Sequence, residues 1–142
     1  MTDNEKEGKN TEDLQQKYMQ MQMFQQQMEQ VQKQLQLMEK QLVELDLVKK
    51  ALGDLKNVKE DAEILVPLSS GIFVKAELKD NKKVTVNVGR GVATEKTIEQ
   101  AQELISQQAD ELTKVRAQLT EDMSKMGVQA NGLQQELQKL VN

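Results

Sequence analysis

The chain has 142 residues, the length of about one domain, with 37% hydrophobic and only 2% aromatic residues and a net charge of −4. So few aromatic residues disfavour a large compact core and favour long helices that bury a narrow stripe, and the negative charge gives nucleic-acid or membrane-surface binding no electrostatic support. Cysteine and histidine are absent, which excludes disulfides and thiolate chemistry and removes the commonest general base and transition-metal ligand.

The same composition bounds the classes of protein to which the chain can belong. We expect no catalytic residues, no metal and no cofactor, and neither a nucleic acid nor a membrane as a partner. No apolar run approaches the roughly 20 residues that span a bilayer, and the polar residues 1–10 do not resemble a signal peptide. The sequence therefore predicts a cytoplasmic protein whose residues 1–10 form a disordered tail.

Residues 11–58 predict the first coiled-coil helix, with Thr11 as its N-cap. The segment is rich in glutamine and contains no proline, and four successive heptads have both seam positions apolar. A sustained seven-residue repeat indicates a coiled coil rather than a disordered low-complexity tract. The register fails at its ends, where Lys17 and Lys49 fall on seam positions. The a positions are Leu14, Met21, Met28, Leu35 and Leu42, and the d positions are Phe24, Val31, Met38 and Leu45.

Residues 62–95 have the period of two that is typical of strands. The pattern predicts a short strand over Ile64–Pro67 that ends at the proline, and alternating strands over Ile72–Leu78 and Val84–Val88 with a hairpin turn at residues 79–83 between them. Residues 92–95 are a candidate fourth strand. So small a sheet cannot form an independent core and would have open edges. We therefore expect these strands to complete their sheet against other chains.

Residues 97–142 predict the second coiled-coil helix, which begins with a capping box of Thr97 and Gln100. Its companion stripe is assigned to Ala101 and Val115 and then to Met123, Ala130 and Leu137, and the glycines 127 and 132 are expected to loosen the helix. The two helices should fold back as an antiparallel pair, because the segment between them reverses the chain. The predicted fold is α+β, a helical hairpin around two β-hairpins. The residues that recur every seventh position are Ile98, Ile105, Leu112, Leu119, Met126, Leu133 and Leu140.

Three segments resemble, in their order and spacing, the α-class subunits of archaeal or eukaryotic-like prefoldin. They are residues 64–76 with the motif Leu-Val-Pro, residues 84–92 with the motif Val-Gly-Arg-Gly-Val, and residues 95–101 with the start Glu-Lys-Thr. The resemblance implies a hexamer of two α-type and four β-type subunits whose hairpins form a β-barrel hub. It also implies an ATP-independent chaperone that captures unfolded proteins at the coiled-coil tips and passes them to a group II chaperonin. Four strand-like segments favour the α class, which carries two hairpins.

The candidate binding residues fall into two groups. Met19 and Met23 lie on the outward face of the first helix, where they gain nothing from the seam, and a flexible methionine surface suits varied unfolded clients. Val43 and Leu47 also point outward, and we expect them to pack against the hub. The full set of candidate client-binding tip residues is Tyr18, Met19, Met23, Phe24, Val128, Leu133, Leu137, Leu140 and Val141. The candidate oligomerisation residues are Ile64, Val66, Ile72, Val74, Ala76, Leu78, Val84, Val86 and Val88.

Two alternatives remain at this point. A structural coiled-coil scaffold without chaperone activity would share the helices and the hub, but the outward methionines favour a chaperone. A phosphate-binding loop at Gly89-Arg90-Gly91 would indicate a nucleotide enzyme, but the spacing of known phosphate-binding loops is absent. We therefore expect a strand break or bulge at these glycines.

Overall fold

The computed structural model describes residues 3–141, in the element order α1 (Asp3–Leu55), β1 (Glu63–Ser69), β2 (Ile72–Glu77), β3 (Lys83–Asn87), β4 (Ala93–Thr97) and α2 (Ile98–Val141). Two long helices with two β-hairpins between them confirm the predicted α+β fold. The chain divides into two compact units. The helical unit is Met1–Lys40 with Thr113–Asn142, and the hairpin unit is Gln41–Leu112. Among the described residues, no helix is long and apolar enough to span a bilayer.

The first helix begins at Asp3 rather than at Thr11, so Thr11 lies inside α1 and is not its N-cap. We expected a disordered tail over residues 1–10, but residues 3–10 belong to α1, and residues 1 and 2 lie outside the described residues. The physical reason is that adding residues to an existing helix requires no new nucleus, and the segment is rich in glutamate and lysine and contains no proline. The helix ends at Leu55, after which the amide of Val58 donates to the Leu55 carbonyl at 3.2 Å in a tight turn.

The helical unit buries a stripe along each helix. The seam residues predicted for α1, such as Met21, Phe24 and Met28, are half-buried. The stripe of α2 differs from the prediction at one place, because Val115 is 47% exposed whereas Arg116 is half-buried. Beside the half-buried Asp122 and Gly127, eight buried or half-buried positions of α2 in this unit follow in steps of three and four residues, as knobs-into-holes packing requires. They are Arg116, Leu119, Met123, Met126, Ala130, Leu133, Leu137 and Leu140.

In the hairpin unit, the start of α2 is its most buried part. Ile98 and Ala101 are almost fully buried. The predicted capping box is confirmed, since the Gln100 amide donates to the Thr97 hydroxyl at 3.1 Å and the Thr97 amide donates to Gln100 Oε1 at 3.0 Å. The Ile98 amide donates to the Lys82 carbonyl at 3.0 Å, which ties the helix start to the segment before β3. These bonds satisfy amides that a helix start leaves without a partner.

The first hairpin pairs β1 with β2 in antiparallel register. Val66 lies opposite Val74 and Pro67 lies opposite Phe73, so β1 does not end at Pro67 as expected but continues to Ser69. The ladder shifts register between Pro67 and Ser69. Proline is tolerated here because each strand of a two-stranded sheet is an edge and because the irregularity follows it at once.

The second hairpin pairs β3 with β4, and its turn is the Gly89-Arg90-Gly91 segment. All three residues have positive φ, at 112°, 53° and 74°. Glycine adopts this conformation without steric cost, whereas Arg90 adopts it as a non-glycine residue at some cost. The predicted strand break at these glycines is confirmed, and the break is the turn between β3 and β4. Because β4 spans Ala93–Thr97, the predicted fourth strand exists but extends to the helix cap.

The predicted hairpin turn at residues 79–83 is wrong, because β2 and β3 do not pair. The segment instead connects the two hairpins. The Asp80 carboxylate accepts from the amides of Lys82 and Lys83 at 2.8 and 3.2 Å, and the Asn81 side-chain amide donates to the Val58 carbonyl at 2.9 Å. Aspartate commonly forms local bonds like those of Asp80 in any turn, whereas Asn81 bonds to a residue remote in the chain, so neither residue type identified which strands pair.

Candidate functional site

The outward methionines form an exposed apolar pair on α1. Met19 is 65% exposed and Met23 is 58% exposed, one helical turn apart. Met21 and Phe24, which lie between and beside them in sequence, are half-buried in the seam. Met23 and Phe24 together line a shallow groove of about 270 Å³ with Gln20 and Gln27. This face of α1 therefore presents apolar side chains to solvent without a partner in the seam.

A second, larger groove lies in the helical unit where the two helices meet. Its volume is about 600 Å³. Tyr18 and Val141 are exposed on it, whereas Leu137 is 7% exposed and forms part of its floor. We call it the terminal groove. Its glutamines supply hydrogen-bonding groups around an apolar floor, an arrangement that can hold an apolar side chain of another molecule. The lining residues are Tyr18, Met21, Gln134, Leu137, Gln138 and Val141.

The structure separates the predicted tip residues of α2 into two kinds. Leu133 and Leu137 are each 7% exposed and pack in the seam, since α2 continues without a break through both glycines to Val141. Leu140 is half-buried, and Val128 and Val141 are exposed. The terminal groove brings Tyr18, Leu137 and Val141 together, whereas Met19 and Val128 lie on neither groove. Their role in binding a client stays a prediction.

An ion pair that the sequence analysis did not identify lies next to the terminal groove. Lys17 Nζ is 3.1 Å from Glu136 Oε2, and the lysine side chain is only 28% exposed although it occupies a seam position. A basic residue on an apolar seam was the signal available in the sequence, but its acidic partner is remote in the chain. A charged residue at one seam position can specify how two helices align.

Four of the predicted hub residues share one face of the first hairpin. Because paired residues of an antiparallel ladder point to the same side, Ile64 and Ala76 lie on one face together with Val66 and Val74. Leu78 follows the end of β2, and its amide donates to the Ala62 carbonyl at 3.0 Å. Val66, Val74, Ile72 and Val88 are exposed, and Ile64, Ala76, Leu78, Val84 and Val86 are half-buried. This face has no covering layer among the described residues.

The opposite face of the first hairpin is also apolar, which the sequence analysis missed. Leu65 and Phe73 are 61% and 56% exposed there, and Pro67 lies opposite Phe73. The signal was present, since residues 64–68 form an unbroken apolar run rather than an alternating one, and such runs are typical of strands buried on both faces. Lys75 Nζ lies 3.8 Å from Glu63 Oε1 at the edge of this face. Two exposed apolar faces are typical of a surface that another protein covers.

The start of α2 carries an ion pair that shifts a pKa. Lys56 Nζ lies 2.8 Å from Glu99 Oε1, and this hydrogen bond, together with that from the Glu99 backbone amide, lowers the pKa of the Glu99 carboxyl below its usual value. A carboxylate in the first helical turn also interacts favourably with the helix dipole. Among the described residues, no cluster of acidic side chains is arranged to hold a metal ion.

The sequence model of the prefoldin subunit family matches residues 24–142 of this chain. Curated relatives named prefoldin subunit alpha include one from Methanopyrus kandleri, 43% identical over 53% of this chain and 48% of the relative. One from Methanosarcina barkeri is 35% identical over 67% of this chain and 68% of the relative, and one from Methanococcus aeolicus is 30% identical over 92% and 88%. The chain spans about half the length of the Methanopyrus kandleri relative.

A solved structure shows a similar fold. The cryo-EM structure of filamentous PFD from Methanocaldococcus jannaschii superposes with a TM-score of 0.73 and 23% sequence identity, covering 81% of this chain and 95% of that one. The two-helix, two-hairpin architecture, the family match over most of the chain and the curated relatives agree. This chain is therefore a member of the prefoldin subunit family, in its alpha class.

Proposed function

We propose that this chain is one subunit of an ATP-independent chaperone that captures unfolded proteins on the exposed apolar surface of its helical unit. The observation that carries the proposal is the pair Met19 and Met23, exposed one turn apart on a helix whose seam is already filled by other residues. Methionine is flexible and polarisable, so it adapts to many apolar partners. The terminal groove with Tyr18 and Val141 supplies a second apolar contact.

The assembly that we propose contains two copies of this chain and four β-type prefoldin subunits. The support is the apolar character of both faces of the first hairpin, together with the open edges of two-stranded sheets. We further propose a cytoplasmic location, delivery of clients to a group II chaperonin, and no catalytic activity of the chain itself.

Assembly is tested by replacing Val86 with Asp in a chain that is co-expressed with β-type subunits. The new carboxylate takes the place of a half-buried valine on the face of the second hairpin that Val86 shares with Val84. An uncompensated charge there costs several kcal/mol, on the order of 3–5, if the site is buried in the assembly. Size-exclusion light scattering should show loss of the hexamer while circular dichroism shows retained helix. An unchanged hexamer mass would contradict the assignment of β3 to the hub.

Client capture is tested by changing Met19 and Met23 together to Gln. The helices should remain stable, because such surface changes stay within about 0.5 kcal/mol. Each methionine contributes up to about 1.5–3 kcal/mol when it is fully buried against a client. The double variant should therefore suppress aggregation of a denatured protein less well than wild type, at limiting chaperone and without nucleotide. Several subunits act together, so avidity changes the size of the measured loss.

The matched control is the double change of Val43 and Leu47 to Gln. These residues have the same four-residue spacing and similar exposure, at 60% and 59%, but lie in the hairpin unit. The control should retain capture whenever the hexamer remains assembled. If the variant of Met19 and Met23 protects the client as well as wild type does, this pair is not the client surface. If the assembled complex suppresses no aggregation at all, the chain is a structural scaffold.

A further inference from the structure

We propose that Met19 and Met23 form a reversible oxidation site that switches off client capture. A peroxide converts their thioethers to sulfoxides, and the apolar surface of α1 is thereby lost. The position of the site rests on exposure and spacing alone. Its consequence for capture rests on the proposed chaperone function.

The composition of the chain directs oxidation to methionine. Cysteine, histidine and tryptophan are absent, so thioethers are the side chains that a peroxide oxidises most readily. The peroxide must reach the sulfur atom, and Met19 and Met23 are the methionines with exposed side chains in the part of the chain where burial is described. The other methionines there are half-buried and occupy seam or near-seam positions, namely Met21, Met28, Met38, Met123 and Met126.

The reaction transfers one oxygen atom to each sulfur. A lone pair of the Met19 or Met23 thioether attacks one oxygen of hydrogen peroxide, the O–O bond breaks, and the sulfur–oxygen bond of the sulfoxide forms. A proton moves to the departing oxygen, which leaves as water. The sulfur is oxidised by two electrons and the peroxide is reduced by two. A methionine sulfoxide reductase reverses the change, with one class of enzyme for each sulfoxide epimer.

Oxidation at this place changes binding without unfolding the helix pair. Met19 and Met23 lie outside the seam, so the polar sulfoxide oxygens stay in water and the half-buried seam residues Phe24 and Met28 keep their packing. Burying a sulfoxide against a client removes its hydrogen bonds to water, which is costly. The neighbouring side chains Gln20 and Gln27 are polar and cannot replace the lost apolar surface. The oxidised face therefore binds unfolded chains weakly.

The site is tested on the assembled complex with dilute hydrogen peroxide and peptide mass spectrometry. Sulfoxide should appear at Met19 and Met23 on the order of tenfold faster than at the half-buried Met28 and Met126, because access to sulfur sets the order of reaction. Equal rates at all four positions would overturn the site.

The switch is tested with a variant in which both Met19 and Met23 become Leu. Leucine carries no sulfur, so the protection that this variant gives after peroxide should equal the protection that the same variant gives before peroxide, whatever its starting level. Wild type should lose protection severalfold after peroxide and regain it after treatment with both classes of reductase. Any oxidation of partner subunits is common to both complexes. If treated wild type and the treated leucine variant lose protection equally, the methionine pair is not the switch.

Failure of this inference is distinguishable from failure of the proposed function. If the untreated Gln variant of Met19 and Met23 protects the client fully, the client surface lies elsewhere and the switch is overturned with it. The relative rates of sulfoxide formation still decide whether the pair is a selective oxidation site. If the Gln variant is impaired but peroxide leaves wild type fully active, the client surface stands and the switch alone is overturned.

Discussion

Replacing Leu133 with Ala should destabilise the helical unit. Leu133 is 7% exposed and lies in the seam of α2, although the sequence had suggested it as part of a client surface. Replacing a buried leucine with alanine typically lowers the free energy of unfolding by about 2–5 kcal/mol. A seam between two helices has solvent on both sides, so we expect the lower part of that range, about 2–3 kcal/mol. For a chain of this length, each kcal/mol shifts Tm by about 4 °C, so Tm should fall by about 8–12 °C.

The measurement is thermal unfolding of the assembled complex, followed by circular dichroism of the helices at equal protein concentration, because assembly makes Tm concentration-dependent. The matched control is Val128 changed to Ala on the same helix. Val128 is 72% exposed, so its free energy of unfolding should change by no more than about 0.5 kcal/mol. Equal shifts for the two variants would refute the assignment of Leu133 to a buried seam and would return it to the client surface.

Further predictions concern glycines and one ion pair. Gly127→Ala and Gly132→Ala should each raise the free energy of unfolding in urea by about 0.5–1 kcal/mol, because both positions are helical. An added Cβ meets no atom within 4 Å at either position, and a loss of stability would contradict this prediction. Gly91→Ala should cost about 1–2 kcal/mol by the same measurement, since Gly91 has φ of 74°, and no change would mean that the turn relaxes. Lys56 lowers the pKa of Glu99, so the interaction between the two side chains stabilises the folded chain at a pH above 4.5, the ordinary pKa of this carboxyl. That stabilisation is lost as the pH falls through the lower pKa of the folded state. Lys56→Met should raise the Glu99 pKa towards 4.5 in an NMR titration, and an unchanged pKa would show that the hydrogen bond does not form.

Local patterns in the sequence predicted the elements well. The heptads of α1 and the capping box of Thr97 and Gln100 depend on residues within one or two turns of each other, so the helices and the start of α2 were predictable. The alternating residues of β2 and β3 likewise predicted strands. The exposure of Met19 and Met23 followed from their heptad positions alone, because a residue on the far side of the seam has no partner to cover it.

Which residues meet across elements was decided by the tertiary structure. In the buried stripe of α2, the sequence suggested Val115, whereas the structure has Arg116 half-buried and Val115 exposed. Which of these neighbours lies in the seam depends on how the facing helix packs. Strand pairing was equally open, since Asp80 and Asn81 suit a hairpin turn as well as the connection that they form. Remote pairs such as these are not encoded in any local window. Their free energy comes from contacts between segments distant in sequence, and only the folded chain brings those segments together.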